Sequence, residues 1–250
     1  MQKHREIPWP RILAEGGAIV VSILFAFWID AWWSDRQDAG ELRESLRAVE
    51  TELESALDSL RMTGDRFELK AKAGLRLLQL TGPKVSPDVV AEVVDLIGTL
   101  MRGATAQVST GSLRTLTTSG ELARVENREL QRALVSWPEQ LDHLYQMEDG
   151  VLQSWLGEVR PQIVAHIPYV NLDMEVGFRD YPDLREEFTQ ALGRPSEFDA
   201  DFMGLLGSLQ FENGIHTLTT LSMIGARRAD LRIREGEEIL AQIRAELGRR

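Results

Sequence analysis

Two carboxylate–histidine pairs have the spacing in this chain that comes closest to metal chemistry. Glu139 and His143 are four residues apart, and so are Glu212 and His216. In a helix this spacing places both side chains on one face, so two such faces could hold a divalent cation between them. Helical di-metal sites instead use Glu-x-x-His with two further carboxylates, and zinc proteases use His-Glu-x-x-His. The chain has neither pattern. We therefore predict no metal ligands and no cofactor.

Other catalytic signatures are also missing from the sequence. It contains no Gly-x-Ser-x-Gly nucleophile motif, no phosphate loop and no dinucleotide fingerprint, and without cysteine it has no thiol nucleophile. The net charge of −11 disfavours contact with a phosphate backbone. We expect no catalytic residues, no enzyme activity and no nucleic-acid partner.

The elements that would have to position any site begin with an apolar segment near the N-terminus. Ile12 to Trp33 contains only two charges, Glu15 and Asp30, one near each end. As a helix these residues would rise roughly 33 Å, enough to cross a hydrocarbon core of about 30 Å. The pattern predicts one transmembrane helix over 12–33, and a lipid bilayer as partner. Four tryptophans are expected to anchor the helix at the membrane interfaces: Trp9, Trp28, Trp32 and Trp33.

A removable secretory signal is the competing interpretation, because basic residues precede the apolar run. The exit from the run, residues 27–33, is bulky and offers no small-x-small cleavage site. This favours a retained anchor.

The orientation of the span follows from the basic residues beside it. Lys3, Arg5 and Arg11 precede it, whereas Arg36 is the single base in the first turns after it. The positive-inside rule predicts a cytoplasmic tail over 1–11 and an extracytoplasmic domain over 34–250. The chain has 24 arginines and four lysines, which indicates a GC-rich bacterial gene and hence the bacterial inner membrane.

One face of the predicted span consists of small or polar residues. Such ridges let two membrane helices approach closely. We therefore predict a helix-association face, and a homo-oligomer or another envelope protein as partner. The alternative is that small residues are simply common in membrane helices. The face comprises Ala14, Ala18, Ser22, Ala26 and Asp30.

The remaining 217 residues, 34–250, show helical periodicity almost throughout. Apolar positions from Leu42 to Leu78 alternate steps of three and four, and no proline occurs between residues 11 and 82. We expect one long coiled-coil-like helix ending at Gly82-Pro83, and a long last helix that returns along it. The fold class is therefore all-α: one N-terminal transmembrane helix followed by a long-helix antiparallel bundle.

Shorter helices are expected between the two long ones. The pattern predicts a helix from Ser86-Pro87 to Gly103, and a stretch over 127–166 bent or broken at Pro138 and Pro161. A short helix from Pro182 to Leu192 should precede the last long helix.

The turn between residues 116 and 130 carries capping chemistry. Gly120 can adopt a positive φ, Ser119 can cap, and Asn127 can cap the helix that follows it. A ligand notch formed by Thr115, Thr118 and Ser119 is the alternative interpretation.

Two segments resemble a family of uncharacterised bacterial single-pass membrane proteins, a domain of unknown function. In the span, Glu15 precedes an Ile/Val-rich helix that closes on Ala26, Asp30 and Trp32. In the domain, Ser119-Gly120 followed by Asn127 resembles a recurrent turn between helices of that family. The two segments cover about a quarter of the chain. This chain has Asp30 where Asn is usual, and its region after Pro138 has no match. The resemblance implies membership and no activity.

Together these patterns predict a membrane-anchored helical protein of the bacterial envelope that acts by interaction or as a scaffold. An extracytoplasmic ligand-sensing bundle that works through a partner is the second interpretation. A membrane-tethered hydrolase or metal protein is the third.

Overall fold

The chain folds into an all-helical bundle built on two long helices. The computed structural model describes residues 9–103, 108–178 and 181–249, with side chains from residue 21 onward except Asp35. Over these ranges there is no β-strand, which confirms the all-α prediction. The α-helices are α1 (Trp9–Leu80), α2 (Val90–Met101), α3 (Gly111–Thr118), α4 (Arg128–Ser154), α5 (Arg160–His166), α6 (Tyr169–Leu172), α7 (Pro182–Leu192), α8 (Phe202–Leu206) and α9 (Leu209–Arg249).

Helix α1 is a single helix of 72 residues. It ends at Leu80, and Gly82 then adopts a φ of +140°, a conformation open mainly to glycine. The amide of Gly82 donates a hydrogen bond to the carbonyl of Leu206 at 3.0 Å, which ties this end of α1 to the start of α9. The predicted stop at Gly82-Pro83 is confirmed, and α1 runs without a break through residues 12–33.

Helix α9 returns antiparallel along α1, as the sequence predicts. Close approach depends on small residues: a Cβ added at Gly225 would lie 2.9 Å from three ring atoms of Phe67, and one at Gly236 would lie 2.7 Å from Leu57. Near its C-terminus α9 is linked to α1 by Arg244, whose Nε donates to Glu50 at 2.7 Å. The glycines therefore let the axes of α1 and α9 lie closer together than larger side chains at these positions would allow.

The core lies between α1, α4 and α9. Its largest fully buried side chains are Phe67, Phe211 and a set of leucines and isoleucines spread over the helices. Leu42 is the first buried residue of α1 among those with described side chains. The described part of α1 before Leu42 therefore lies outside the core.

A carboxylate of α1 completes the start of the short helix α3. Glu52 accepts hydrogen bonds from the backbone amides of Ser112 at 2.7 Å and Leu113 at 3.3 Å. These amides belong to the first turn of α3 and have no partner within the helix. A carboxylate is also favoured there by the helix dipole.

Two predictions about breaks in the middle of the chain are modified by the structure. Helix α4 continues through Pro138. Near Pro161 the chain also stays helical, because a π-helical turn over Trp155–Val159 joins α4 to α5. Pro161 then lies in the first turn of α5 and, because it has no N–H, cannot donate a hydrogen bond to the preceding π-helical turn.

The backbone of the predicted membrane span lies within α1, but its side chains are described only from residue 21 onward. Within the part of the chain that the structure describes, no helix combines the length and apolarity needed to cross a bilayer. The transmembrane prediction is therefore not confirmed.

Replacing Gly225 with Ala should destabilise the bundle by about 1 kcal/mol, because overpacking against buried Phe67 outweighs the better helix propensity of Ala. The full-length variant should melt about 2–4 °C lower by circular dichroism.

The matched control is Gly150→Ala in α4, where nothing lies within 4 Å of the added Cβ. This variant should gain about 0.5–1 kcal/mol from helix propensity. Equal effects at both positions would contradict the proposed closeness of α1 and α9.

Candidate functional site

The residues of the predicted association face and interface anchors all belong to α1. The side chains of Trp9, Ala14 and Ala18 lie outside the described residues. The other three residues of the face, Ser22, Ala26 and Asp30, are exposed. The remaining anchors are exposed too: Trp28, Trp32 and Trp33.

The exposed part of α1 from residue 21 to residue 33 is unusually apolar. Phe27 is 67 % exposed and Trp33 is 65 % exposed, and Asp30 is the single charge in this stretch. The Trp32 ring lies 5.3 Å from the Arg36 guanidinium. A folded water-soluble chain rarely exposes so many large apolar residues together, and such patches commonly mark contact with another protein or with a membrane. Nine of the 13 positions are large and apolar: Val21, Ile23, Leu24, Phe25, Phe27, Trp28, Ile29, Trp32 and Trp33.

The turn between α3 and α4 has the capping geometry that the sequence predicts. Gly120 has a φ of +82°. The Asn127 side chain accepts from the amides of Glu129 and Leu130 at 2.9 and 3.2 Å. Ser119 accepts from the amide of Glu121. The capping interpretation is confirmed.

The alternative ligand notch is not supported, because its hydroxyl groups already have partners. Thr115 donates to the carbonyl of Gly111, and Thr118 donates to that of Arg114. The Ser119 hydroxyl donates to the carbonyl of Leu116. These bonds run within and just beyond α3 and leave no open donor array.

The two carboxylate–histidine pairs do not meet. Glu139 and His143 lie on exposed positions of α4, and Glu212 and His216 lie near the start of α9. Among the described residues no group of three or more potential ligands could hold a metal ion.

One buried charged group stands out in the domain. Lys70 of α1 is only 6 % exposed. Its Nζ donates a hydrogen bond of 2.7 Å to the carbonyl of Leu100, in the last turn of α2. A cation at this position satisfies a terminal carbonyl and is favoured by the helix dipole. Lys70 thus hydrogen-bonds the C-terminal end of α2, as Glu52 hydrogen-bonds the N-terminal end of α3.

A second cation lies beside Lys70. Arg66, one turn earlier on α1, reaches the carbonyl of Gly103 at 3.5 Å. Burial, together with the smaller effect of the Arg66 charge, lowers the pKa of Lys70 to about 8. Neither cation has an ion pair in the described chain. Lys70 and Arg66 thus place two positive groups of α1 against the end of α2, where Arg102 follows the last turn.

A cavity of about 350 Å³ opens next to Lys70, between α1, the end of α2 and α4. A second, larger groove of about 660 Å³ is also lined by Lys70, which therefore borders both spaces. The cavity walls are mainly apolar and aromatic, and Arg102 and acidic residues of α4 complete them. They include Phe67, Leu100, Met101, Tyr145, Glu148, Asp149, Val151, Leu152 and Trp155.

Both spaces are bordered by π-helical turns. The turn Trp155–Val159 brings Trp155 to the cavity, and the turn Asp173–Gly177 brings Val176 to the groove. Such turns are rare and occur frequently at functional sites. The site around Lys70 thus combines a buried amine, an adjacent cavity and irregular helical backbone.

Sequence reasoning did not find this site. In the sequence Lys70 stands two residues before Lys72 within a charged helix, and nothing local marks one as buried and the other as exposed. The one signal of burial in the sequence is that Lys70 lies three residues after Phe67, and so on the same apolar face of the helix.

Comparison of the chain with protein families, curated proteins and solved structures finds no match.

The pH dependence of stability should reveal the buried amine of Lys70. In the unfolded chain its pKa returns to 10.5, so between pH 8 and 10.5 the unfolded state binds more protons than the folded state. The free energy of unfolding of the wild type should therefore rise with pH across this window, relative to Lys70→Met, by up to about 3 kcal/mol. Denaturant titrations at pH 7.5, 9 and 10.5 measure the difference.

Lys72→Met is the control, because Lys72 is exposed and forms a surface ion pair with Glu68. Its pH dependence should parallel that of the wild type. If Lys70→Met also runs parallel, Lys70 keeps an ordinary pKa in the folded protein and its proposed burial is wrong.

Proposed function

We propose that this protein is a single-pass membrane protein whose helical bundle acts by association rather than by catalysis. The anchor is the segment Ile12–Trp33, and residues 34–250 form the associating domain. The observation that carries the proposal is the apolar stretch of α1 over residues 21–33, whose large apolar side chains are exposed in the described structure.

A lipid bilayer is the occupant that best suits this stretch. Its large side chains point to all sides of the helix: Val21 and Ile23 lie on nearly opposite faces, as do Phe25 and Phe27, and all four are exposed. A protein groove would cover one face only, whereas lipid surrounds the helix. The tryptophans near its end and the Arg36 guanidinium beside Trp32 suit a headgroup region.

The proposed orientation places the N-terminus in the cytoplasm and the bundle outside it, at the inner membrane of a bacterium. The basic residues before the span support this orientation, and the arginine-rich composition supports a bacterial source. Membership of the uncharacterised single-pass family stays a prediction that rests on the span and on the capped turn.

Association is proposed with a second copy of the chain or with another envelope protein. The small-residue face of the span supports contact between two membrane helices. Within the bundle, α1 continues from the proposed span as one helix, so a partner that contacts the span also orients the domain.

Replacing Leu24 and Phe25 together with arginine should release the protein from the membrane. Each charge near the bilayer centre costs about 2.5–3.5 kcal/mol on insertion scales. After alkaline carbonate washing of membranes, the wild type should stay in the pellet and the double variant should move largely to the supernatant.

Leu231→Arg is the matched control, since Leu231 is 45 % exposed on α9 and far from the proposed span. It should stay in the pellet. A reporter that is active only outside the cytoplasm, fused after Arg250, should be active in the wild type and inactive in the double variant. Wild-type protein in the supernatant would contradict the anchor.

Self-association through the span should weaken when the small-residue face is filled. Ser22→Leu places a bulky side chain where two backbones would approach, so crosslinked dimers of the full-length protein in membranes should decrease several-fold.

The control is Ile23→Leu, one position away and conservative in size. It should crosslink like the wild type. A protein that is monomeric in all three forms would rule out self-association, and a pull-down from mild detergent extracts would then identify the envelope partner.

A further inference from the structure

The site around Lys70 is not used by the proposed anchoring function, yet it carries an electrostatic cost. Only 6 % of the surface of Lys70 is accessible to solvent, so its amine loses most of its hydration. One carbonyl, that of Leu100, accepts from it at 2.7 Å. An ammonium has three donors, so a single carbonyl only partly replaces the lost water.

The neighbouring Arg66 adds to this cost instead of offsetting it. Its charge acts on Lys70 in the same direction as burial does. An anion bound to Lys70 would hydrogen-bond to its remaining donors and would also be attracted by the nearby charge of Arg66. The two cations are therefore suited to an anionic group.

The adjacent cavity limits the size and polarity of the rest of the ligand. Its volume of about 350 Å³ lies at the lower end of the range for small-molecule sites. Phe67, Val151 and Trp155 are buried and line it, so it presents apolar surface beside the amine.

We propose that this cavity binds a small organic monocarboxylate, with the carboxylate on Lys70 and an aromatic or branched apolar body against Phe67, Val151 and Trp155. A single negative charge matches a single buried ammonium. A doubly charged phosphate would carry a second charge into an apolar space, which is far more costly.

The acidic residues of α4 restrict where the carboxylate can lie. Glu148 and Asp149 also line the cavity. They repel a carboxylate from their own side and leave the side of Lys70 as its position.

The test follows the titration of Lys70 in the full-length protein with lysine labelled by ¹³C at Cε. The chain has only four lysines, so the spectrum is simple, and Lys70→Met assigns the signal. The probes are 3-phenylpropanoate and isovalerate. Either probe should raise the titration midpoint of Lys70 by about one pKa unit, because the bound anion stabilises the ammonium.

The probe chemistry has its own controls. Neutral 3-phenylpropanamide should bind at least tenfold more weakly than the carboxylate, and phenethylammonium should leave the Lys70 signal unchanged. A shift caused by phenethylammonium instead would show that Glu148 and Asp149 select a cation, and would overturn the proposal.

Variants separate the binding role of Lys70 from its role at the end of α2. Lys70→Met should reduce the affinity for 3-phenylpropanoate by about tenfold or more, and Lys72→Met should leave it unchanged. If Lys70→Met does not fold, Arg66→Gln at an exposed position gives the answer, with an expected loss of roughly threefold.

The proposal is overturned if neither carboxylate moves the Lys70 titration, since Lys70 would then serve only to close α2. Binding that leaves the Lys70 signal unchanged also overturns it. These results are independent of the membrane anchor, because the wild type can fail the carbonate test and still bind the probe.

Discussion

The close antiparallel packing of α1 against α9 is the constraint on which the rest of the structure depends. Glycine lies at points where the two helices approach closely: Gly225 faces the ring of Phe67, and Gly236 faces Leu57. Larger side chains at these positions would separate the axes and open the core. The cost of glycine within a helix is offset by the dispersion contacts that the close approach allows.

The long helices also supply the charges that end the short ones. Glu52 of α1 satisfies the first amides of α3, and Lys70 of α1 satisfies a last carbonyl of α2. Each charge has the sign that the dipole of the short helix favours. Short helices are marginal by themselves, so these contacts let α1 fix where α2 ends and α3 begins. The same arrangement buries an amine beside a cavity.

The molecule is polarised along α1. The stretch before Leu42 exposes large apolar side chains, whereas the bundle buries its apolar residues and carries acidic side chains outside. Such a division suits a helix that continues from one solvent into another. A partner that holds the N-terminal part of α1 therefore acts on one continuous helix that extends to Leu80.

Local chemistry in the sequence determined the all-α class, the helix stop at Gly82-Pro83, the cap at Asn127 and the return of the last helix. Each follows from apolar periodicity or from residue types that act within a few positions. The continuity of the chain through Pro138 and the site at Lys70 were decided only by tertiary structure. Burial and cavities depend on helices far apart in sequence, and Lys70 differs from Lys72 only in what α2 and α4 place against it.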